Sequence, residues 1–217
     1  MRLIAEGVSF RYPGTRRAVL DDLSCDFPAG SATAIVGPSG SGKSTLISLL
    51  GGLLDPQVGH IACIGPDNRR VVPRDASTWV LQTVSLLPAR TVEDNVRLGA
   101  YLDGVADDTA RLRAHAALTD MGLAHRASDR AGLLSGGEAQ RVAIARALAS
   151  ARPVLFADEP TGQLDARTTD VVLDAMLAHA RRTVVLVTHD ERAAERCDRV
   201  LLLRDGRLSA PPRADPA

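Results

Sequence analysis

Gly37-Pro38-Ser39-Gly40-Ser41-Gly42-Lys43-Ser44-Thr45 is the stretch on which the fold turns. It fits the pattern G-x-x-x-x-G-K-[ST]. The apolar run Ala32 to Val36 precedes it, and an apolar helical segment starts at Lys43. Strand, glycine-rich loop and helix are the context in which this pattern cradles a phosphate chain. The glycines let successive backbone N–H groups converge on phosphate oxygens without a Cβ in the way. The helix N-terminus adds its dipole. Lys43 is expected to reach the β- and γ-phosphates, and Ser44 to coordinate Mg2+.

Further along, Pro153-Val-Leu-Phe-Ala-Asp158-Glu159 reads as a buried strand that ends in two carboxylates. With a phosphate loop upstream, Asp158 would hold Mg2+ through water. Glu159 would polarise the attacking water as general base. Without that loop, two acids at a strand end would be an ordinary solvated terminus.

The rest of the chain alternates strands and helices. Leu3 to Tyr12 and Val19 to Phe27 read as strands around a Pro13-Gly14 turn. Val154 to Ala157, Val184 to Val187 and Val200 to Leu203 are short continuous apolar runs, as buried parallel strands require. Helical patterns cover Glu138 to Ala149 and Ala166 to Ala180. This alternation predicts an α/β layered core. From about Thr91 to Arg130 the chain is rich in Ala, Leu and Arg and reads as a helical insertion. The tail after Leu208, Pro- and Ala-rich, is expected to be disordered.

Bulk properties narrow the class. The 217 residues carry 26 basic and 26 acidic side chains, so no basic excess points to nucleic acid. Cys25, Cys63 and Cys197 form no paired or metal-binding spacing. No signal peptide is read at the N-terminus. The most apolar stretch, Leu46 to Leu54, falls far short of the ~18 residues of a membrane span.

Leu134-Ser135-Gly136-Gly137-Glu138-Ala139-Gln140-Arg141, followed by Val-Ala-Ile-Ala-Arg-Ala-Leu148, separates this chain from other phosphate-loop proteins. Ser135, Gly136 and Gly137 make a bare polar start to a strongly helical segment, a second anion-binding helix N-terminus. The segment closely resembles the signature motif of the ABC (ATP-binding cassette) ATPases. That resemblance implies a P-loop NTPase core of ABC type with an antiparallel β-subdomain and an inserted α-helical subdomain. The whole of 1–217 would be one cassette: 1–90 and 136–208 as core, 91–135 helical, and 209–217 as tail.

The family's other motifs follow in order. Tyr12 matches the aromatic that stacks on adenine, with Phe10 as the core residue beside it. Gln82 matches the Q-loop glutamine that touches Mg2+ or water. Asp165, in Thr161-Gly-Gln-Leu-Asp165, resembles the D-loop aspartate at a dimer interface. His189 matches the switch histidine that contacts the γ-phosphate. The nucleotide site would comprise Tyr12, Gly37, Pro38, Ser39, Gly40, Ser41, Gly42, Lys43, Ser44 and Thr45. Ser135, Gly136, Gly137 and Glu138 would come from a second, head-to-tail ATPase subunit. Glu159, His189 and Gln82 would serve catalysis, and Ser44, Gln82 and Asp158 would serve Mg2+.

Glu159-Pro-Thr-Gly-Gln-Leu-Asp165 and Leu86-Leu-Pro88 are most similar to the lipoprotein-release and macrolide-efflux ATPases and the peptide exporters. The chain departs from them in Gln163, where Asn is usual, and in a short Gly59 to Gln82 interval. The resemblance implies ATP and Mg2+ as ligands. It implies a polytopic membrane permease as partner, and a cytoplasmic position on the inner face of the membrane. Export or membrane extraction is favoured over import, because no extra C-terminal domain is read. The alternative is a soluble cassette acting on nucleic acid or ribosomes, which would carry a long coiled coil or two cassettes. A phosphotransfer enzyme would leave the signature helix unexplained.

Overall fold

A computed structural model of the chain describes residues 1–178 and 182–210. In chain order the elements are β1 (Arg2–Phe10), β2 (Leu20–Phe27), β3 (Ala32–Val36), α1 (Lys43–Leu50), β4 (Val58–Ile64), β5 (Arg70–Val71), α2 (Pro73–Ala76) and β6 (Ser77–Val80). Then come α3 (Val92–Tyr101), α4 (Asp107–Asp120), α5 (Gly136–Ala149), β7 (Val154–Asp158) and α6 (Ala166–Leu177). β8 (Thr183–Val187), α7 (Glu191–Glu195), β9 (Arg199–Arg204) and β10 (Arg207–Ser209) complete them. They form two compact units, residues 1–77 with 182–210, and residues 78–178.

The first unit holds an antiparallel sheet in the order β2-β1-β4-β5. β1 alternates as a half-buried strand must: Leu3 and Ala5 point inward, then Val8 and Phe10. The one-residue slip falls at Gly7, where the pairing with β2 shifts register between Ala5 and Val8. The same unit holds strands in the order β10-β9-β3-β8. β3 lies parallel to β8 and to β9, with Ala34 opposite Leu186 and Val200. β8 is buried along its whole length and β3 nearly so, as the continuous apolar runs predict. β9 differs from its sequence reading. Only Leu201 and Leu203 of its apolar run are fully buried, so β9 has one covered face and alternates.

In the second unit β6 and β7 are neighbours, and Trp79 stacks on Phe156 with ring centroids 4.7 Å apart. Residues 58–80, whose sequence carries no clear period, form the three strands β4, β5 and β6 and the short helix α2. Residues 91–135 carry α3, α4 and two short 3-10 turns, with one isolated bridge between Thr91 and Arg130. α3, α4 and α5 pack on one another. α5 is buried nearly all round, which its alternating alanines permit. Asn95, fully buried on α3, ties down the preceding loop. Its amide exchanges two hydrogen bonds with Leu87 and donates a third to the Thr91 carbonyl. α6 ends at Leu177, so the predicted extension to Ala180 ends partly outside the described residues. Ser209 belongs to β10; the rest of the expected tail, from 211, also lies outside them.

The packing of α3 on α5 depends on Gly99. A Cβ at that position would come within 1.9 Å of the Arg146 carbonyl oxygen. Gly99→Ala should therefore cost about 1–3 kcal/mol through overpacking, outweighing the ~1 kcal/mol that alanine gains in helix propensity. Urea unfolding of the variant checks this: a lowered midpoint is expected, and an unchanged or raised one contradicts the close helix approach.

Candidate functional site

Two sets of predicted residues are assembled, one in each unit. In the first, β3 delivers the chain into the loop Gly37–Gly42, and α1 begins at once. Two of the glycines are obligatory. Gly37 has φ 154°, and a Cβ there would lie 2.3 Å from the Leu203 carbonyl oxygen. Gly42 has φ 99° and would meet Val19 Cγ1 at 2.8 Å. Gly42 is also the N-cap of α1, and no side chain caps that helix. Its first-turn N–H groups are therefore available to an anion. Lys43 Nζ donates to the carbonyls of Gly37 at 2.9 Å and Pro38 at 3.1 Å, so the ammonium lies inside the curve of the loop.

Tyr12 stands beside this loop. Its hydroxyl is 3.2 Å from Thr45 Oγ1, and Phe10 packs edge-on against its ring at a centroid distance of 5.0 Å. Phe10 is 7% exposed and Tyr12 42%, so Phe10 serves the core and Tyr12 offers a ring face. His189 is exposed just beyond β8. The amide of Thr188 donates to the Ile35 carbonyl at 3.3 Å, which fixes His189 at the same carboxyl edge of the parallel strands as the loop. Ligands bind at this edge in open α/β sheets.

A cavity of about 440 Å3 flanks the loop. Thr15, Arg17, Val19, Ser39 and Asp205 are among its walls, and Arg17 pairs with Asp205 at 2.9 Å. Sequence reasoning singled out neither Arg17 nor Asp205. They are 188 positions apart, and no local pattern joins them.

The second unit holds the other set. Asp158 is the last, buried residue of β7. Glu159 follows with φ 49°, a left-handed conformation that costs a non-glycine residue roughly 1–2 kcal/mol. Such outliers concentrate at functional sites. Gln82 is exposed just after β6. Asp165 is the N-cap of α6 and accepts from the Thr168 amide at 3.0 Å and its hydroxyl at 2.8 Å. Those hydrogen bonds hold its carboxyl below the usual range.

Ser135 is the N-cap of α5 and forms a capping box with Glu138. The Ser135 amide and hydroxyl both donate to Glu138 Oε2, at 2.9 and 2.8 Å. Arg126 donates to Glu138 Oε1 at 2.6 Å. Ser135 was legible as the polar start of the helix; the reciprocal bond from Glu138 and its brace Arg126 belong to the folded chain. Ser135 and Gly136 remain exposed. The chain from Gln163 to Leu164 lies against them: built Cβ atoms on Gly136 and Gly137 would fall 3.5 Å from Gln163 Oε1 and 3.6 Å from Leu164 Cδ2.

The chain is similar to known proteins over most of its length. Residues 20–162 match the family profile described as ABC transporter. An ABC transporter ATP-binding protein of Mycobacterium tuberculosis is 40% identical over 210 residues, covering 92% of this chain and 85% of that protein. A macrolide export ATP-binding/permease protein of Paracoccus denitrificans is 41% identical over 97% of this chain. This chain spans 34% of that protein's length. Among solved structures, the dimeric bacterial ABC transporter cassette MJ0796 superposes with a TM-score of 0.83 at 30% identity, covering 98% of this chain and 100% of that one. A second dimeric structure of MJ0796, a post-hydrolysis state bound to ADP and Pi, gives 0.83 at 29% identity, with the same coverage.

The capping box has a measurable consequence. Hydrogen bonds from the Ser135 amide and hydroxyl, then the Arg126 charge, lower the Glu138 pKa. A lowered carboxylate stabilises fully above its unfolded pKa, and that contribution is lost as pH falls through the folded value. Ser135→Ala should lose about 1 kcal/mol at neutral pH, and its deficit should narrow below the carboxylate range. Thermal unfolding across pH 3–7 (roughly, the span of carboxylate titration) reads both; a deficit that widens in acid contradicts the cap.

Proposed function

We propose a working cycle for this chain from one premise: it belongs to the ABC transporter family, as an ATP-binding and ATP-hydrolysing cassette. The cassette powers transport through a separate membrane partner. The kinship with a macrolide export ATP-binding/permease protein supports a motor of the export or membrane-extraction type. In that relative the permease is part of the same protein name; here we assign it to another polytopic chain. Among the described residues no helix is long and apolar enough to cross a membrane. Attachment to the inner membrane face would then run through that partner. We take residues 1–217 as one cassette, with 91–135 as its helical part.

The observation that carries the reading is the phosphate loop itself. Its two sterically obligatory glycines, uncapped helix and inward lysine leave room for little but an anion. ATP would stack its base on Tyr12 and lay its phosphates along Gly37 to Thr45. Lys43 would hold the β- and γ-phosphates. Ser135 and Gly137 of a second, head-to-tail copy would meet the γ-phosphate from the opposite side, their exposed helix N-terminus supplying N–H groups. Glu159 would take the proton of the attacking water, and Gln82 and His189 would register the γ-phosphate. Asp165 would lie along the interface of the two copies.

The residues that would serve Mg2+ offer the hard oxygen donors that ion prefers: the Ser44 hydroxyl, the Gln82 amide carbonyl and the Asp158 carboxylate. When bound it would neutralise charge on the β- and γ-oxygens. Among the described residues no group of three His, Cys, Asp or Glu could hold a metal alone, so the ATP phosphates would complete its coordination.

Two variants separate the roles. Glu159→Gln should lose about 10²-fold or more of turnover while still binding ATP, and should accumulate as an ATP-bound dimer in gel filtration. Lys43→Ala should instead lose nucleotide affinity. Undiminished hydrolysis in the first, or unchanged ATP binding in the second, overturns the corresponding assignment.

A further inference from the structure

Gln140 lies one turn into α5 and is 2% exposed. A buried primary amide needs a reason, because its polar atoms lose water without full compensation. Its Nε2 donates to the Pro160 carbonyl at 2.9 Å, and its Oε1 has no hydrogen-bond partner among the described residues. The one bond made is therefore the one that holds the side chain. Its target is the residue directly after Glu159, whose φ of 49° must be maintained against the ordinary preference of a side-chain-bearing residue.

The turn that follows Glu159 is closed by its own backbone and by its neighbours. The Gly162 amide reaches the Glu159 carbonyl only at 3.4 Å, and Leu164 bonds Thr161 at 3.0 Å within the same turn. Asp165 then anchors the far end as the cap of α6. The Gln140 bond joins the near end of this turn to α5. Four and five positions earlier on that helix are Gly136 and Ser135, and the same turn packs on Gly136 and Gly137 through Gln163 and Leu164.

We propose that Gln140 is a positioning residue: through the Pro160 carbonyl it holds Glu159 in its catalytic conformation and ties that conformation to the signature helix of the same chain. This rests on the general-base role of Glu159. In the proposed dimer the signature helix faces one nucleotide and Glu159 serves the other, so the bond would let the state of one site reach the base of the other. A 1 Å displacement of a reacting group can cost on the order of 10²-fold in rate.

Steady-state kinetics of four full-length proteins tests this: wild type, Gln140→Met, Glu159→Gln and the double variant. Methionine keeps the volume and loses the donor. Gln140→Met should lower kcat about tenfold or more, with KM and fluorescent-ATP affinity nearly unchanged. The double variant should be no slower than Glu159→Gln, since nothing remains to position. If the methionine protein does not fold, Gln140→Asn, which keeps the amide but shortens its reach, supplies the same reading. A wild-type kcat in a folded variant overturns the proposal, as does an additive further loss in the double variant. Normal hydrolysis by Glu159→Gln alone would instead remove the general-base reading on which it stands.

Discussion

The parallel pairing of β3 with β8 on one side and β9 on the other is the constraint from which the nucleotide site follows. It brings two carboxyl ends to one edge, and the loop Gly37–Gly42 and His189 leave from that edge. The approach is tight enough that the Leu203 carbonyl of β9 excludes any side chain from position 37. Position 42 is closed in the same way by Val19, just before β2. Gly40 faces open space, whereas Gly37 and Gly42 are thus set by their neighbours in the fold as much as by a ligand. A substitution there would disturb the layer before it disturbed binding.

The second unit solves a different problem. It must present a helix N-terminus to solvent without letting it fray. The Ser135–Glu138 box, braced by Arg126, closes the cap, while Gly136 and Gly137 keep the first turn bare. Behind that turn α5 is almost wholly buried, so the exposed motif stands on a fixed base. The turn carrying Glu159 packs on the same first turn. The exposed helix start and the carboxylate proposed as general base therefore share one support within this unit.

Much of this was legible in the sequence, for physical reasons. β3, β7 and β8 are buried on both faces and read as unbroken apolar runs. The phosphate loop and the polar helix start at Ser135 to Gly137 are local patterns whose chemistry depends on adjacent residues. The interval 58–80 was not legible, because β5 has only two residues and β4 exposes its first half, so neither shows a period. β9 looked like a core strand and alternates instead, since burial depends on what covers each face of the sheet. In the sequence Gln140 stands only as one position of a motif. Its buried bond to Pro160 spans 20 positions, and the left-handed Glu159 leaves no mark in composition. Arg17 with Asp205 and Asn95 with Leu87 are likewise contacts of the folded chain.

The central claim is that each chain lends its phosphate loop to one ATP and its signature segment to another. Mixing two inactive variants tests it most directly: Lys43→Ala, defective in the loop, and Ser135→Arg, blocked at the signature. In a head-to-tail pair, a mixed dimer concentrates both defects in one site and leaves the other intact. Hydrolysis should then return on mixing, toward about a quarter of the wild-type rate, because about half of randomly paired dimers are mixed and each keeps one good site. A mixture as inactive as its components, at concentrations where the Glu159→Gln protein dimerises with ATP, would contradict the shared site.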